Sequence, residues 1–116
     1  MEKMYVAVKN GKEVEFTFAQ EINLVTNSSA ERMKDWAGKE VGFTAAIVRN
    51  EDEKGRSCQI LLNDGTVIGT NSSMFCDTLE AIFRVTKERG VDFNLLRVTV
   101  HKTANNRTFV VPEYVG

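Results

Sequence analysis

The sequence is poor in the residues from which catalytic and metal sites are built. Its 116 residues include one histidine, His101, and two cysteines, Cys58 and Cys76. A structural zinc site needs about four Cys or His ligands, and nucleophilic catalysis needs a base placed beside its Ser or Cys. Neither pattern occurs, so we expect no enzyme, no metal and no cofactor. Both cysteines have apolar neighbours, which predicts reduced core residues.

Long apolar runs are also missing. A membrane-spanning helix needs about 20 apolar residues in succession, whereas the runs in this sequence are only a few residues long. The charged start, Met1–Tyr5, differs from a secretory signal, which has an apolar stretch after its first basic residues. These two absences predict a cytoplasmic protein.

A surplus of charge is absent overall but present locally. The formal net charge is −1, which does not by itself indicate a nucleic-acid-binding protein. However, no acid occurs from Phe93 to Pro112, a stretch that contains Arg97, His101, Lys102 and Arg107. Two interpretations stay open: a basic binding surface, or a strand face made soluble by its charges.

The first third of the chain predicts a hairpin and a short helix. Two alternating segments, 5–8 and 14–18, flank Asn10-Gly11, a pair typical of a tight hairpin turn. Ser28 and Glu31 have the spacing of a capping box, and the helix they begin would carry Met33 and Trp36 on one face.

The rest predicts five strands and one long helix. The strands cover 39–49, 57–63, 66–69, 96–101 and 108–111, and Pro112 is expected to end the last one. In the first of them, alternation predicts one face made of Val41, Phe43, Ala45 and Ile47. The helix begins at the Thr-Asn-Ser-Ser of residues 70–73, buries Phe75, Leu79, Ile82 and Phe83, and ends at Gly90.

Three strands, a helix and two further strands are the order of an OB-fold. We therefore predict a mainly β protein: a five-stranded Greek-key barrel like the OB-fold, with one helix between its third and fourth strands, plus an N-terminal β-hairpin and short helix. The chain would form a single domain over 1–116, with 1–27 as the hairpin extension and 28–116 as the barrel core. Gly42 would allow the long first strand to bend.

Within this order, several segments resemble the small bacteriophage single-stranded-DNA-binding proteins. The strand, Asp-Gly turn, strand and Ser-led helix from Cys58 to Phe83 are similar to theirs, as are the closing hairpin from Leu96 to Val111 and the segment Trp36–Val41. The resemblance covers about residues 33–112. It implies an OB-fold that coats single-stranded DNA with little sequence preference during phage replication or recombination, in the cytoplasm of an infected bacterium and often as an oligomer. Replication or recombination proteins would then be partners. The hairpin at 4–18 lies outside the match, and the acidic tail of many bacterial relatives is absent.

Single-stranded DNA is held by basic groups along its phosphates and by aromatic faces under its bases. The candidate DNA-binding residues are Trp36, Lys39, Phe43, Arg49, Lys54, Arg56, Arg97, His101, Lys102, Arg107, Phe109 and Tyr114. Three of the aromatic candidates have an alternative role, because Phe43 and Phe109 alternate with core positions and Trp36 could cover the barrel end.

Two rival functions remain at this point. The chain could be a protein-interaction module that uses an apolar patch on its N-terminal hairpin, at Tyr5, Phe16 or Phe18, and has no affinity for DNA. It could also hold a small nucleotide or effector, which would require a deep pocket.

Overall fold

Strands make up most of the secondary structure in the computed structural model, which describes residues 2–5, 8–9, 12–13, 17–26, 31–51 and 55–116. The elements are β1 (Glu2–Tyr5), β2 (Val8–Lys9), β3 (Lys12–Glu13), α1 (Phe18–Thr26), β4 (Glu31–Arg32), a 3₁₀ turn (Met33–Trp36), β5 (Glu40–Glu51), β6 (Gly55–Leu62), β7 (Val67–Thr70), α2 (Ser73–Arg89), β8 (Leu95–Lys102) and β9 (Thr108–Tyr114).

One curled sheet organises these elements. Its strand order is β4-β7-β6-β5-β8-β9, and β1 also pairs with β5. Among the described strands, only β4 and β7 run parallel, and the other pairs are antiparallel. Strand β5 is the centre of the sheet, because its first residues pair with β8 and its later residues pair with β6 and β1. The mainly β architecture agrees with the sequence, and β2 and β3 form a separate small hairpin.

Strand β5 changes which face it buries part-way along its length. Its pairing with β6 shifts register between Phe43 and Ala45, just after Gly42. An irregularity of this kind inserts a residue and reverses the alternation of side chains. Val41 and Phe43 therefore share the main core with Ala46 and Val48. The predicted single face of Val41, Phe43, Ala45 and Ile47 is wrong beyond Phe43.

Helix α2 matches its prediction closely. Ser72 caps it, since the Ser72 hydroxyl accepts a hydrogen bond from the Phe75 backbone N–H at 3.2 Å. Phe75, Leu79 and Phe83 are buried against the sheet, and Ile82 packs on them from the edge. Gly90 ends the helix with φ of 68°, a left-handed conformation that glycine adopts without strain.

The N-terminal third departs from its prediction. Phe18, expected at the end of a strand, begins helix α1, and the capping-box residue Glu31 lies in strand β4. Met33 and Trp36 are in a single 3₁₀ turn, while Ser28 and most of the predicted second hairpin strand, residues 14–16, lie outside the described residues. Tertiary packing explains the difference at α1. Leu24 is fully buried against the second face of the sheet, beside Ala45, Ile47 and Val67.

The last hairpin is longer than predicted. Strand β9 continues through Pro112, which pairs with Val98, and ends at Tyr114. Proline fits here because β9 is the last strand of the sheet order, and no other described strand pairs with its outer edge. The buried residues of β9 are Val110 and Pro112, which turns Phe109 and Val111 to the other, partly exposed face.

Candidate nucleic-acid interface

The free end of the β8–β9 hairpin carries an aromatic pair. His101 and Phe109 are cross-strand partners, and their rings stack with centroids 5.6 Å apart and planes inclined by 18°. His101 is exposed and Phe109 is half-buried. Neither ring belongs to the main hydrophobic core. The pair is therefore a flat aromatic surface that solvent reaches.

The turn beyond this pair is held by its own hydrogen bonds. The Thr103 backbone N–H donates to the Arg107 carbonyl at 2.8 Å, and the Asn106 N–H donates to the Thr103 carbonyl at 3.1 Å. The Arg107 N–H also donates to the Thr103 hydroxyl at 3.3 Å. Asn106 takes φ of 60°, which asparagine tolerates better than most residues. These bonds give the basic residues on either side of the turn a defined separation.

Lys102 and Arg107 flank the turn, and both are exposed. Within the part of the chain that the structure describes, no ion pair links either side chain to a carboxylate. Two positive charges therefore lie beside the His101–Phe109 pair with their charge available to a ligand. We name His101, Lys102, Arg107 and Phe109 the hairpin cluster.

A cleft of about 660 Å³ lies next to the hairpin cluster. Its walls come from the two ends of the strand order: Arg32 of β4 on one side, and Thr108 and Phe109 of β9 on the other. Lys34, Gln59 and one acid, Glu31, also line the cleft. Sequence reasoning missed Arg32 and Lys34, because the acids Glu31 and Asp35 beside them hide any local surplus of positive charge.

Trp36 and Lys39 form a second contact between an aromatic ring and a cation. The Lys39 Nζ lies 5.0 Å from the centre of the Trp36 ring, within the range of a cation–π interaction. Trp36 packs partly on the main core, and Lys39 is exposed. The 3₁₀ turn that holds Trp36 lies against β8 and β9. The pair is thus on the hairpin's side of the molecule, although only part of the indole is accessible.

Arg97 is engaged by carboxylates from outside the acid-free stretch. Its guanidinium pairs with Glu40 at 2.8 Å and with Glu113 at 3.2 Å, and Thr99 donates a hydrogen bond to the second oxygen of Glu113. Sheet pairing brings these acids to Arg97, since Glu40 and Glu113 are its partners on the two neighbouring strands. These two acids reduce the positive charge around Arg97 below what the acid-free stretch alone predicts.

Arg56 is held even more firmly. Its guanidinium forms ion pairs with Asp77 and Glu80 of α2, and its Nε donates to the Asn50 side chain at 2.6 Å. Burial lowers the pKa of Arg56, but the hydrogen bonds and charges of Glu80 and Asp77 outweigh it and raise the pKa overall. Arg56 fastens β6 to α2. The sequence predicted that the Arg56 guanidinium contacts a DNA phosphate, but in the structure two carboxylates already bind it.

The remaining candidates are spread over the molecule. Arg49 donates from Nη2 to the Gln59 side chain at 3.1 Å, and Lys54 lies outside the described residues. Phe43 is only 2% exposed and packs edge-to-face on Phe93, so no base can stack on it in this structure. Tyr114 lies at the opposite end of β9 from the turn, and its hydroxyl donates to the Asp92 carbonyl at 3.1 Å.

Both cysteines lie in the core, as predicted. Cys58 and Cys76 are fully buried as free thiols in the main cluster. The hydrogen bond with Cys76 and complete burial raise the pKa of the Cys58 thiol well above its ordinary value, which makes it a poor nucleophile. Among the described residues, no three His, Cys, Asp or Glu side chains are grouped so that they could hold a metal ion. In the same part of the chain, no helix is long and apolar enough to cross a membrane.

Comparison of the chain with protein-family models, with curated protein sequences and with solved structures found no match.

Proposed function

We propose that the chain is a single-stranded-DNA-binding protein of the bacteriophage type, with an OB-fold and little sequence preference. The observation that carries this proposal is the hairpin cluster, in which a solvent-accessible aromatic pair is followed, towards the turn, by two exposed cations. This combination suits single-stranded nucleic acid, because any base can stack on an aromatic face while its phosphates contact positive charges. Such a protein would act in the cytoplasm of an infected bacterium, alongside replication or recombination proteins.

The strand order supports the OB-fold part of the proposal. Strands β5, β6, β7, β8 and β9 would be the five barrel strands, with α2 between the third and the fourth. In such barrels, the loops that join the first two and the last two strands grip the ligand. The β8–β9 turn is the second of these loops. In the described part of the chain, β7 pairs with β4 and β6 but not with β9, so the cleft occupies the seam where a closed barrel would join.

A mode of binding follows from these positions. One base would stack on the accessible face of the His101–Phe109 pair, and neighbouring phosphates would contact Lys102 and Arg107, which lie towards the turn. The strand would continue along the cleft towards Arg32 and Lys34. Since the protein as a whole is close to neutral, these local charges and not a general attraction would supply the electrostatic part of the affinity.

The experiment is a fluorescence-anisotropy titration of labelled oligo-dT at low and at moderate salt. We expect binding that weakens steeply with salt, and no binding at low salt would contradict the proposal. The informative variant is the double change Lys102→Gln and Arg107→Gln. Its matched control, Lys87→Gln with Arg89→Gln, removes the same charge from the C-terminal end of α2, where Arg89 lies beside Tyr114 at the far end of β9. The first variant should weaken binding, and the control should not.

One observation favours the rival function, a protein-interaction module. Phe18 is 80% exposed on α1, and Ile22, one helical turn later, is 42% exposed. Apolar side chains adjacent on a helix surface can contact a partner protein. Tyr5 and Phe16, the other residues expected in this patch, have side chains outside the described set. This function requires that the oligo-dT titration show no binding and that Phe18→Ser abolish binding to a replication protein.

A further inference from the structure

Helix α2 has an apolar face on the side turned away from the sheet. Met74, Thr78, Ala81 and Val85 follow one another at intervals of four, three and four residues, which places them in one line along the helix. Met74 is 51% exposed and Val85 is 54% exposed. A helix that packs on a sheet with one face ordinarily has polar residues on the other. On α2 the exposed side also carries the charged Asp77 and Arg84, but the line from Met74 to Val85 beside them has no charged residue.

The apolar surface continues past the helix. Ala81, Ile82 and Val85 border a groove of about 410 Å³, whose opposite wall includes Val91 and Tyr114. Both of these are 39% exposed. Most of the large apolar side chains that are exposed in the described part of the chain therefore lie on this one surface, namely Met74, Val85, Val91 and Tyr114. We name it the α2 face.

The charges beside this line are arranged with opposite signs at its two ends. The half of α2 from Ser73 to Ala81 contains two acids, Asp77 and Glu80, and no base. The half from Ile82 to Arg89 contains three bases and one acid. Asp77 and Arg84 lie two helical turns apart on the same flank, and their side chains are 62% and 63% exposed. Each is paired within its own chain but stays open to solvent on one side.

We propose that the α2 face binds a second copy of this chain, with the two α2 helices antiparallel about a two-fold axis near Ala81. Antiparallel packing sets Met74 of one copy beside Val85 of the other. It also brings each exposed Asp77 close to the partner's Arg84. Parallel packing would instead place Asp77 beside Asp77 and Arg84 beside Arg84, which like-charge repulsion disfavours. The inference does not depend on the DNA-binding proposal, since it uses no residue of the hairpin cluster.

The surface is small, which favours weak and reversible association. Seventeen helical residues extend about 26 Å, so a helix pair with its neighbouring groove buries an area at the lower end of specific interfaces. Interfaces of that size bind reversibly, and we expect a monomer–dimer equilibrium with a dissociation constant on the order of micromolar to tens of micromolar.

Sedimentation velocity of the whole chain over a concentration series tests the association. We expect the mass to rise from one to two copies, and Val85→Glu to shift the dissociation constant upward at least tenfold. Phe18→Glu is the matched control, because it places the same charge at an exposed apolar position of α1 and should leave the equilibrium unchanged. Far-ultraviolet circular dichroism checks that both variants are folded. A protein that stays monomeric at several hundred micromolar, or a dimer that Val85→Glu leaves intact, overturns the proposal.

Cross-linking tests the orientation. A mixture of the Met74→Cys and Val85→Cys variants, oxidised with copper-phenanthroline under air, should form a disulfide between one chain of each kind. Each new bond joins two thiolates and passes two electrons to oxygen. The wild-type chain, whose thiols are buried, should stay unlinked. Efficient linking of Met74→Cys to itself, with little linking in the mixture, would show parallel helices and overturn the antiparallel arrangement.

Discussion

Two arginines beside the connections of the same sheet have opposite surroundings. Arg56 lies near the start of β6, just after the connection from β5, and Arg107 lies just before β9, after the connection from β8. Arg56 is half-buried and bound by two carboxylates of α2, whereas Arg107 is exposed. The sequence offered no reason to separate them, since each is a basic residue in a polar loop of a predicted hairpin.

The difference comes from what the long helix brings to each connection. Asp77 and Glu80 are 21 and 24 positions beyond Arg56, and only the packing of α2 on β6 places them against its guanidinium. No acid of the described residues reaches Lys102 or Arg107 in the same way. One connection therefore uses its cation to hold the fold together, and the other leaves its cations exposed.

The largest expected difference in stability is between the two phenylalanines that the sequence predicted to stack on bases. Phe43→Ala removes a side chain that is 2% exposed, and we expect it to lower the free energy of unfolding by about 3–5 kcal/mol. Phe109→Ala removes a half-buried ring outside the main core, so its cost should be about 1 kcal/mol. Urea denaturation measures both. Equal losses would mean that Phe109 is as much a core residue as Phe43.

Arg56, which two carboxylates bind, should contribute to the stability of the fold and not to the affinity for DNA. Arg56→Met leaves Glu80, whose side chain is 19% exposed, paired only with the more exposed Arg84 among the described residues, and we expect a loss of about 2 kcal/mol. Arg97→Met is the control, because its pairs are far more exposed and should contribute no more than about 1 kcal/mol. Oligo-dT affinity should be unchanged by Arg56→Met in the folded protein. A loss of affinity comparable to that from changing the hairpin cluster would contradict the comparison.

Sequence patterns predicted those parts of the fold whose signal is local. The start within residues 70–73, the spacing of Phe75, Leu79 and Phe83, and the stop at Gly90 define α2, and the structure confirms each of them, with Ser72 as the cap. The alternation in β8 predicts Arg97, Thr99 and His101 opposite Leu96, Val98 and Val100; Leu96 and Val98 are buried, whereas Val100, near the turn, is 47% exposed. In both elements the period of the apolar residues and the ends agree, so no distant contact is needed to decide between helix and strand.

Other features depend on contacts between distant residues, and these the sequence could not supply. The register shift after Phe43 arises because β5 must pair with β8 at one end and with β6 at the other. Helix α1 depends on the burial of Leu24 against Ala45 and Ile47. At the candidate site the same limit applies: whether a basic residue is engaged depends on acids brought from other elements, as Glu113 is to Arg97.

Loss of the proposed stacking ring should weaken DNA binding more than loss of one charge. We expect Phe109→Ala to reduce oligo-dT affinity by about 1–3 kcal/mol, the range for one base on one aromatic ring. Phe109→Trp keeps a stacking surface and should restore most of it. If the alanine variant binds as tightly as the wild type, the base does not stack on the β8–β9 hairpin.

The two loop arginines should also differ in the salt dependence of binding. If Arg107 contacts one phosphate, Arg107→Gln should reduce the slope of log affinity against log salt by about 0.7, the contribution of one released ion on a single strand. Titrations at four or more salt concentrations give the slope. Arg56→Gln should leave it unchanged, since Asp77 and Glu80 already neutralise that cation. A slope that falls equally in both variants would remove the distinction between the two connections.

The turn between β6 and β7 extends the comparison to an acid, Asp64, whose effect on stability should be the smallest of those predicted. Between β6 and β7, the Asp64 carboxylate accepts a hydrogen bond from the Thr66 backbone N–H at 2.9 Å, and this bond lowers the pKa of Asp64 from its ordinary 3.8. A lowered pKa in the folded state stabilises the fold above pH 3.8, and this stabilisation is lost as the pH falls through the folded-state pKa. Asp64→Asn keeps an oxygen for the turn but cannot titrate. The wild type should therefore lose more stability than the Asn variant between pH 5 and about pH 2, measured by thermal unfolding. Identical pH profiles would mean that the Asp64 carboxylate, unlike the guanidinium of Arg56, contributes nothing to the fold through its charge.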